Sequence, residues 1–256
     1  MKAKLSSKKY IKRLSCYKCM EDKPIAVSVV LPTFNESMNI VPLIRRTQEA
    51  LKEFSKEIIV VDDDSLDKTW EIAEKLADPE VRVIRRLNEK KLVSAIQKGI
   101  DEAKGRYVVW MDADLSMPPE VIPALIGQLQ GYDIAVGSRY VKGGKDIRPW
   151  LRVISSRFIN LVANVVLNFK VHDYDSGFIA VRKRVLQKIR LADSGYGEYC
   201  IEFLYRAGKK GFWITEVPYS FTDRRAGQSK TAKTLSGLFT YGMMYLKRII
   251  LLRIKG

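Results

Sequence analysis

Short apolar runs and longer amphipathic stretches alternate along the first half of the chain. Residues 25–31 form a β-branched run, and across residues 36–54 the apolar positions recur at helical spacing. The same alternation continues, which predicts strands at 57–61, 81–85, 107–111 and 133–136 and helices at 68–76, 92–103 and 120–129. Short apolar strands separated by helices are typical of βαβ units. The pattern therefore predicts an α/β fold with a Rossmann-like, mostly parallel central sheet and helices on both faces.

Polar and acidic residues follow three of these predicted strands. The first strand runs into PTFNE at 32–36, the second into DDDSLDKT at 62–69, and the fourth into DADLS at 112–116. Ligands bind beyond the carboxyl ends of the strands in such sheets, so we expect the three loops to form one site. These carboxylates would repel one another, so we expect a cation or hydrogen-bond donors from a ligand to neutralise their charge.

The D-A-D sequence at Asp112 and Asp114 is by itself compatible with two structures. One is a solvated turn, since Asp favours turns and Pro118 and Pro119 suit the start of a helix. The other is a cation site, because Mg²⁺ takes carboxylate oxygens and completes its shell with water and phosphates. The coincidence of three acidic loops favours a nucleotide and metal site.

The formal net charge of +16 is carried mainly by the two ends of the 256-residue chain. Residues 1–23 have a net charge of +6 and residues 224–256 one of +8, which leaves +2 for the segment between them. Basic ends on a nearly neutral core indicate an anionic partner such as a membrane surface. A nucleic-acid-binding module would share this charge, but the sequence lacks its usual motifs and gathers carboxylates where the ligand should bind.

The cysteines and the N-terminus limit the compartment. Cys16, Cys19 and Cys200 are too few for a disulfide framework and indicate a reducing compartment. A structural zinc site would require Cys200 and His172 to converge on the first two cysteines, which we do not expect. The basic N-terminus has no continuous apolar segment, so we do not expect a signal peptide.

Two segments in the second half are apolar enough to meet a membrane. Residues 158–169 lack charge, and Asn160, Asn164 and Asn168 would form one polar stripe on a helix. Such a helix is either part of the core or interfacial, because a dozen residues are too few to span a bilayer. Residues 235–252 combine apolar and basic side chains, which favours an amphipathic helix in the headgroup region.

The chain resembles the family-2 glycosyltransferases of GT-A fold, and within them it is most similar to the dolichol-phosphate mannose synthases. The resemblance extends from about residue 25 to residue 230 and rests on six segments in order: VVLPTFNE, EIIVVDDDSLDKT, VVWMDADLSMPPE, DIAVGSRYVKGG, SGFIAVRKRVL and EVPYSFTDRRAGQSK. It implies a GT-A nucleotide-diphospho-sugar transferase fold and a catalytic domain at 24–230, with an interfacial helix at about 153–169. A basic extension at 1–23 would precede this domain, and a basic, amphipathic, membrane-associated segment at 231–256 would follow it.

The implied reaction is transfer of a hexose to dolichyl or another polyprenyl phosphate, with inversion at the anomeric carbon and Mg²⁺ or Mn²⁺ as cofactor. Mannose from GDP-mannose is the first expectation, for glycoconjugate or protein glycosylation at the cytoplasmic face of a membrane. A polyprenyl-phosphate glucosyltransferase that uses UDP-glucose, or another family-2 glycosyltransferase, is the alternative. A relative that only binds nucleotide is a third possibility.

The resemblance also implies roles for individual residues. The donor nucleotide would be held by Pro32, Thr33, Glu36, Asp63 and Asp112. The metal would be bound by Asp112, Asp114 and Ser116, and would stabilise the charge on the leaving nucleoside diphosphate. The acceptor phosphate would be bound by Arg139, Arg152, Ser156, Arg224 and Lys230, since guanidinium groups meet phosphate oxygens in pairs. The catalytic residues would be Asp112, Asp114, Arg139 and Arg224.

Five positions depart from the family pattern. Ser116 stands where glutamine is common, Lys91 and Lys68 stand where glycines are usual, Leu66 replaces a proline, and Asp175 replaces a threonine. These departures leave the identity of the donor sugar open.

Overall fold

A computed structural model describes residues 25–167, 171–192, 197–222 and 235–255. Arg224, Lys230 and the predicted N-terminal extension with Cys16 and Cys19 lie outside the described residues. The strands are β1 (Val27–Thr33), β2 (Lys56–Asp62), β3 (Val81–Arg85), β4 (Tyr107–Trp110), β5 (Ile134–Ser138), β6 (Lys145–Asp146), β7 (Ile179–Arg182), β8 (Ile214–Pro218) and β9 (Ser220–Phe221). The helices are α1 (Ile40–Ala50), α2 (Thr69–Glu74), α3 (Leu92–Glu102), α4 (Ile122–Gln128), α5 (Trp150–Leu167), α6 (Lys183–Leu186), α7 (Tyr199–Lys209) and α8 (Leu235–Lys255).

Within these ranges the central sheet has seven strands, in the order β3-β2-β1-β4-β7-β5-β8. All neighbouring pairs are parallel except those of β7, which runs antiparallel to both β4 and β5. The predicted α/β fold with a mostly parallel sheet is confirmed. Strands β6 and β9 pair separately as a short two-stranded sheet, in which Lys145 lies opposite Ser220.

Both faces of the sheet are covered, because successive side chains of a strand point to opposite faces. Val29 belongs to the core formed with α1 and α4, whereas Val30 belongs to the core formed with α3, α5 and α7. Trp110 is fully buried in the second core and meets Phe203 of α7 edge to face, with ring centroids 5.5 Å apart. This burial on both sides explains why the strands read as continuous apolar runs.

Strand order reverses between β1 and β4, and this reversal positions the site. The ladder that joins the two strands ends at the pair Val30 and Trp110, while β1 continues to Thr33. Since β7 is antiparallel to β4, the residues that precede it arrive at the same edge as the carboxyl ends of β1 and β4. Such a switch point is where open α/β sheets bind ligands.

Helix α5 presents its asparagine stripe to the protein and its apolar residues outward. Asn160 is buried, its Oδ1 accepts the Tyr174 N–H at 2.7 Å, and its Nδ2 donates to the Ser156 carbonyl at 3.0 Å. Asn164 donates to the carbonyls of Asn160 and Val171. The third member of the predicted stripe, Asn168, lies outside the described residues. The opposite face exposes large apolar side chains: Trp150, Leu151, Ile154, Phe158, Leu161 and Val165.

Helix α5 is longer than the segment of a dozen residues, 158–169, that was predicted from the sequence. The helix has 18 residues, a length of about 27 Å at 1.5 Å per residue. It is the one helix within the described part of the chain that is long and apolar enough to cross a bilayer, judged by length and composition. Its inner residues Ile159, Ala163 and Leu167 nevertheless pack in the core of the domain, so lipid cannot surround it in this fold.

Helix α8 packs against α5 and α7. Ile249 is fully buried in the core that contains α5 and α7, and Arg248 Nη1 forms an ion pair with Glu202 of α7 at 2.8 Å. Its outward side exposes Met243, Met244, Ile250, Leu251 and Ile254. The segment predicted as membrane-associated is therefore also a packing element of the domain.

Candidate active site

A cavity of about 360 Å³ lies at the edge of the sheet where strand order reverses. Its walls contain nine of the residues proposed from the sequence: Pro32, Thr33, Glu36, Asp63, Asp112, Asp114, Ser116, Arg139 and Arg152. Ser156 lies behind this wall and donates its hydroxyl to Asp175, at 3.2 Å. The three predicted loops thus converge, while Arg224 and Lys230 lie outside the described residues.

The loops after β1 and β2 are bound to each other. Asp62 is fully buried and accepts hydrogen bonds from Thr33 Oγ1 at 2.8 Å, Ser65 Oγ at 2.6 Å and the Ser65 N–H at 2.8 Å. The N–H of Glu36 donates to Thr69 Oγ1 across the same gap. Asp62 is therefore a structural residue that fixes Thr33 and the loop containing Glu36 at the cavity.

Two arginines of the chain neutralise the negative charges of Asp63 and Asp64. Asp63 Oδ1 accepts from Arg86 Nε at 2.6 Å, and Asp64 pairs with Arg85 at 2.6 Å. Burial raises the pKa of Asp63, although the Arg86 guanidinium opposes that shift. The expectation that a ligand must answer all the acidic residues was wrong for Asp62, Asp63 and Asp64, which have donors in the chain.

Arg86 supports the cavity wall through its contact with Asp63, and the sequence analysis missed it. Its side chain is only 8% exposed and also contacts the Lys91 carbonyl and Ser94 Oγ, so it joins the loop after β2 to the start of α3. The only sequence signal was the Arg85-Arg86 pair at the end of β3, one strand away from the acidic loop. That signal becomes readable only when β2 and β3 are known to be neighbours.

The D-A-D loop places two carboxylates in the cavity wall. Leu115 adopts a left-handed conformation with φ +62°, which turns the chain so that Asp114 Oδ1 accepts from the Ser116 N–H at 3.1 Å and from Ser116 Oγ at 2.5 Å. Ser116 therefore orients Asp114. Its predicted role as a metal ligand stays a prediction.

The chemistry of these donors suits a divalent cation that is shared with a substrate. Within the described ranges no group of three or more His, Cys, Asp or Glu side chains could hold a metal ion alone. Asp112 and Asp114 supply hard oxygen donors at the cavity wall. Mg²⁺ typically takes one or two carboxylates and fills its remaining positions with water and substrate phosphates, so the pair fits that mode of binding.

Arg139 is buried in the part of the cavity wall that follows β5 and is paired with Asp173. Its Nε and Nη2 meet the two oxygens of Asp173 at 2.8 and 2.6 Å, and its side chain is 3% exposed. Burial alone would lower the pKa of Arg139, but the charge of Asp173 outweighs burial and raises it well above the usual value. The paired edge of the guanidinium that was expected to bind the acceptor phosphate is therefore used by Asp173.

A second pair of an arginine and an aspartate, which the sequence analysis did not predict, lies next to the Arg139–Asp173 pair. Arg148 lines the cavity and meets Asp146 through Nε at 2.9 Å and Nη2 at 2.7 Å. Burial would raise the pKa of Asp146, and Arg148 reverses this and lowers it to about 2. Arg148 carries no motif of its own, since it lies between β6 and α5 where the sequence shows only a proline.

Asp175, Gly197 and Tyr245 complete the wall at the arginine end. Asp175 Oδ2 lies 3.5 Å from Arg139 Nη2, and Tyr245 reaches the cavity from α8. Burial raises the pKa of Asp175, although the charge of Arg139 opposes the shift. The sequence marked Asp175 only as a departure from the family pattern, and nothing in it indicated Tyr245.

A comparison with known protein families identifies the family of this chain. Residues 28–190 match the family model described as glycosyl transferase family 2, which is more than half of the chain and includes both D-A-D carboxylates. The chain belongs to glycosyl transferase family 2. The family predicted from the six sequence segments is confirmed.

Three curated relatives of this family-2 glycosyltransferase match over most of the chain. A dolichol-phosphate mannosyltransferase of Pyrococcus furiosus is 45% identical over 210 residues, which cover 80% of this chain and 58% of the relative. A polyprenol monophosphomannose synthase of Mycolicibacterium smegmatis is 38% identical, with 79% of each chain covered. A dolichol-phosphate mannosyltransferase of Saccharomyces cerevisiae is 36% identical, with 80% and 81% covered. The chain spans 58% of the archaeal relative's length and about four fifths of the other two.

Solved structures support the fold of the family-2 domain. Glucosyl-3-phosphoglycerate synthase from Mycobacterium tuberculosis, in complex with Mn²⁺, uridine diphosphate and phosphoglyceric acid, superimposes with a TM-score of 0.71 at 19% identity. The match covers 99% of this chain and 84% of that one. The complex of the same synthase with Mg²⁺ and uridine diphosphate also gives a TM-score of 0.71, at 18% identity. At this level of identity the likeness shows the fold alone.

Proposed function

We propose that this family-2 glycosyltransferase transfers mannose from GDP-mannose to dolichyl phosphate or another polyprenyl phosphate, with inversion at the anomeric carbon. The observation that carries the proposal is that carboxylates and arginines line one cavity. Carboxylates of Asp112 and Asp114 line it together with Thr33 and Glu36, and arginines line the part formed by the segments after β5. The names of the three relatives supply the sugar and the acceptor class.

The acidic part of the cavity suits the donor. Thr33, Glu36 and Asp63 lie on the two loops that are bound to each other, and we propose that they hold the base and ribose. Asp112 and Asp114 would hold Mg²⁺ or Mn²⁺ against the donor diphosphate. When bound, such an ion stabilises the negative charge that develops on the leaving nucleoside diphosphate.

The arginine part suits the acceptor. A phosphate monoester is largely ionised at neutral pH, so the nucleophile requires positioning and charge more than a strong base. Arg139 supplies buried positive charge, and Arg148 and Arg152 add further cationic groups at the wall. Arg224 and Lys230 retain their proposed roles at the same phosphate.

A lipid-linked acceptor requires access from a membrane, and the outer face of α5 suits that contact. Five of its side chains are more than half exposed: Trp150, Ile154, Phe158, Leu161 and Val165. A continuous apolar face on a helix anchored by its other face is typical of interfacial binding. We propose that α5 and the outward side of α8 lie in the headgroup region, on the cytoplasmic side.

The test is a transfer assay with purified full-length protein, a panel of GDP- and UDP-sugars, and polyprenyl phosphate in detergent, with Mg²⁺, Mn²⁺ or EDTA. We expect transfer with GDP-mannose and a divalent cation, and a loss of at least about a hundredfold in Asp112→Asn and Asp114→Ala because the ion's charge stabilisation is removed. Asp101→Asn, an exposed carboxylate on α3, is the matched control. Full activity in EDTA contradicts the metal assignment, and transfer only from UDP-sugars contradicts the donor.

A further inference from the structure

The part of the cavity that contains Arg139, Arg148 and Arg152 has as many aspartates as arginines. Three guanidinium groups and three carboxylates gather there: Arg139, Arg148, Arg152, Asp146, Asp173 and Asp175. Asp173 and Asp146 are each held by two hydrogen bonds from one guanidinium group. Asp175 is different, because its contact with Arg139 is long, at 3.5 Å. It is the aspartate that could close further onto an arginine.

Two hydroxyl groups lie beside Asp175. Ser156 Oγ donates to Oδ2 at 3.2 Å, and the Tyr245 hydroxyl from α8 lies on the other side of the carboxylate, next to Gly197. Without these neighbours the carboxylate could move toward Arg139 and Arg152 and occupy the hydrogen-bond donors that an anionic substrate needs. Tyr245 thus acts on the cavity through Asp175.

The position of Tyr245 depends on Gly197. A Cβ atom added at Gly197 would overlap the Tyr245 hydroxyl oxygen, would lie 3.1 Å from Tyr245 Cζ, and would be 3.5 Å from Asp175 Oδ1. The absence of a side chain at 197 therefore leaves the space into which the hydroxyl of Tyr245 extends. Ile249 and the ion pair of Arg248 with Glu202 fix the helix that carries the tyrosine.

We propose that Tyr245 of α8 is a positioning residue for the acceptor: it holds Asp175 away from the arginines, through the gap at Gly197, so that these can bind the acceptor phosphate. The inference rests on the proposed function for the identity of that phosphate. It assigns to the C-terminal helix a part in substrate binding in addition to contact with lipid.

The experiment measures two quantities for the full-length protein: the affinity for a short polyprenyl monophosphate by calorimetry, and the KM and kcat of transfer. Tyr245→Phe removes only the hydroxyl, and Gly197→Ala displaces it without altering either partner. We expect each to weaken polyprenyl phosphate binding and raise the acceptor KM about tenfold, because the Asp175 carboxylate then competes with the phosphate for the arginine donors. The donor KM and kcat should stay within about twofold, a split that general loss of folding would not produce.

The double variant gives the sharpest result. With phenylalanine at 245, the added methyl of Gly197→Ala meets ring carbon at 3.1 Å instead of the hydroxyl oxygen. We therefore expect Gly197→Ala to cost little in the Tyr245→Phe background, so that the two effects are far from additive. Tyr132→Phe, which removes a hydroxyl from a solvent-exposed tyrosine, is the control for the chemistry of the substitution.

The outcomes separate the inference from the function on which it rests. Equal polyprenyl phosphate affinity in wild type and Tyr245→Phe overturns the role of Tyr245 and leaves the proposed function intact. Additive losses in the double variant overturn the contact through Gly197. A wild-type protein that binds no polyprenyl phosphate overturns the acceptor assignment, and this inference with it.

Discussion

Lys68 occupies a left-handed backbone position, with φ +60° and ψ 32°, directly before α2. The family pattern has glycine there, and a residue with a Cβ is strained in this region by about 1 kcal/mol. Lys91, the other lysine at a family glycine position, has φ −141° and ψ 121°, an extended conformation open to any residue. The two departures look alike in sequence, but only the one at Lys68 has an energetic cost.

We predict that Lys68→Gly raises the free energy of unfolding by about 0.5 to 1 kcal/mol, because it removes the strain at φ +60°. Urea unfolding followed by circular dichroism measures it. Lys68→Ala retains the Cβ and should show no gain, which separates backbone strain from the loss of the exposed ion pair with Glu71. Lys91→Gly should destabilise slightly; a gain there as large as at Lys68 would contradict the explanation.

The Asp146–Arg148 pair gives a pH dependence whose sign follows from the pKa. The pKa of Asp146 is lowered from 3.8 to about 2, so its stabilisation is fully present above pH 4 and is lost as pH falls toward 2. We predict that Asp146→Asn lowers the free energy of unfolding by about 2 kcal/mol at pH 7, and that wild type and variant converge between pH 4 and pH 2.

Glu49→Gln provides the comparison for this pH series, because it neutralises an exposed carboxylate paired with Lys52. Exposed pairs contribute little, so its curve should follow that of the wild type within about 0.5 kcal/mol. If the difference between wild type and Asp146→Asn is the same at pH 7 and pH 2.5, the buried ion pair does not have the proposed strength.

Single residues show where sequence reasoning succeeds and where it stops. The D-A-D carboxylates were found because they follow a strand, and the carboxyl ends of strands meet at one edge, whereas Arg139 was found only through the resemblance to the family. Arg86, Arg148 and Tyr245 come from segments distant in sequence, and their partners are set by sheet order and helix docking. The partner that Arg139 uses, Asp173, precedes the antiparallel strand β7, whose direction no local pattern indicates.

At the scale of elements, α5 has the opposite orientation to most amphipathic helices of globular proteins, because its polar side faces the core and its apolar side faces outward. Its polar stripe binds backbone groups of the segment 171–174 and carbonyls in the middle of the helix itself, and its apolar face points outward. The stripe was visible in the sequence, but its direction was not, because asparagine suits both solvent and a buried backbone partner. The strand β3 at 81–85 was predicted with its observed bounds, whereas β7 lacked a flanking helix pattern to mark it.

We predict that Asn160→Leu lowers the free energy of unfolding by about 1 to 3 kcal/mol, since it leaves the buried Tyr174 N–H without its acceptor. The neighbouring and reciprocal substitution, Leu161→Asn, lies on the exposed face and should change stability by less than about 0.5 kcal/mol. Denaturant unfolding in detergent-free buffer distinguishes them. Equal losses from the two substitutions would mean that the stripe does not face the protein.

At the scale of the whole molecule, the outward faces of α5 and α8 are the surfaces that we propose meet lipid. We predict that Phe158→Ser with Leu161→Ser lowers partitioning onto anionic liposomes by at least about tenfold, since each side chain loses about 1.5 kcal/mol or more of apolar burial. Flotation on a density gradient measures it. Trp213→Ser, an exposed aromatic at the amino end of β8, is the control and should float as the wild type does.

Repeating the flotation at increasing salt concentration separates the electrostatic part of liposome binding from the apolar part. Lys247 and Arg253 are exposed on α8, so attraction to anionic headgroups should weaken as added salt screens it. The apolar contribution of Phe158 and Leu161 should persist at high salt. Binding that disappears entirely with salt would mean that α5 does not enter the lipid.

The reach of Tyr245 into the cavity has a practical consequence for anyone who shortens the chain to make it easier to handle. Ending the protein at residue 234 would remove an apolar helix, but it would also remove Tyr245 from the lining of the cavity and the buried Ile249 from the core. An inactive truncated enzyme would then be misread as proof that catalysis requires a bilayer. Polar substitutions at Met243 and Ile254, both on the outward side of α8, would improve handling in water and keep the cavity whole.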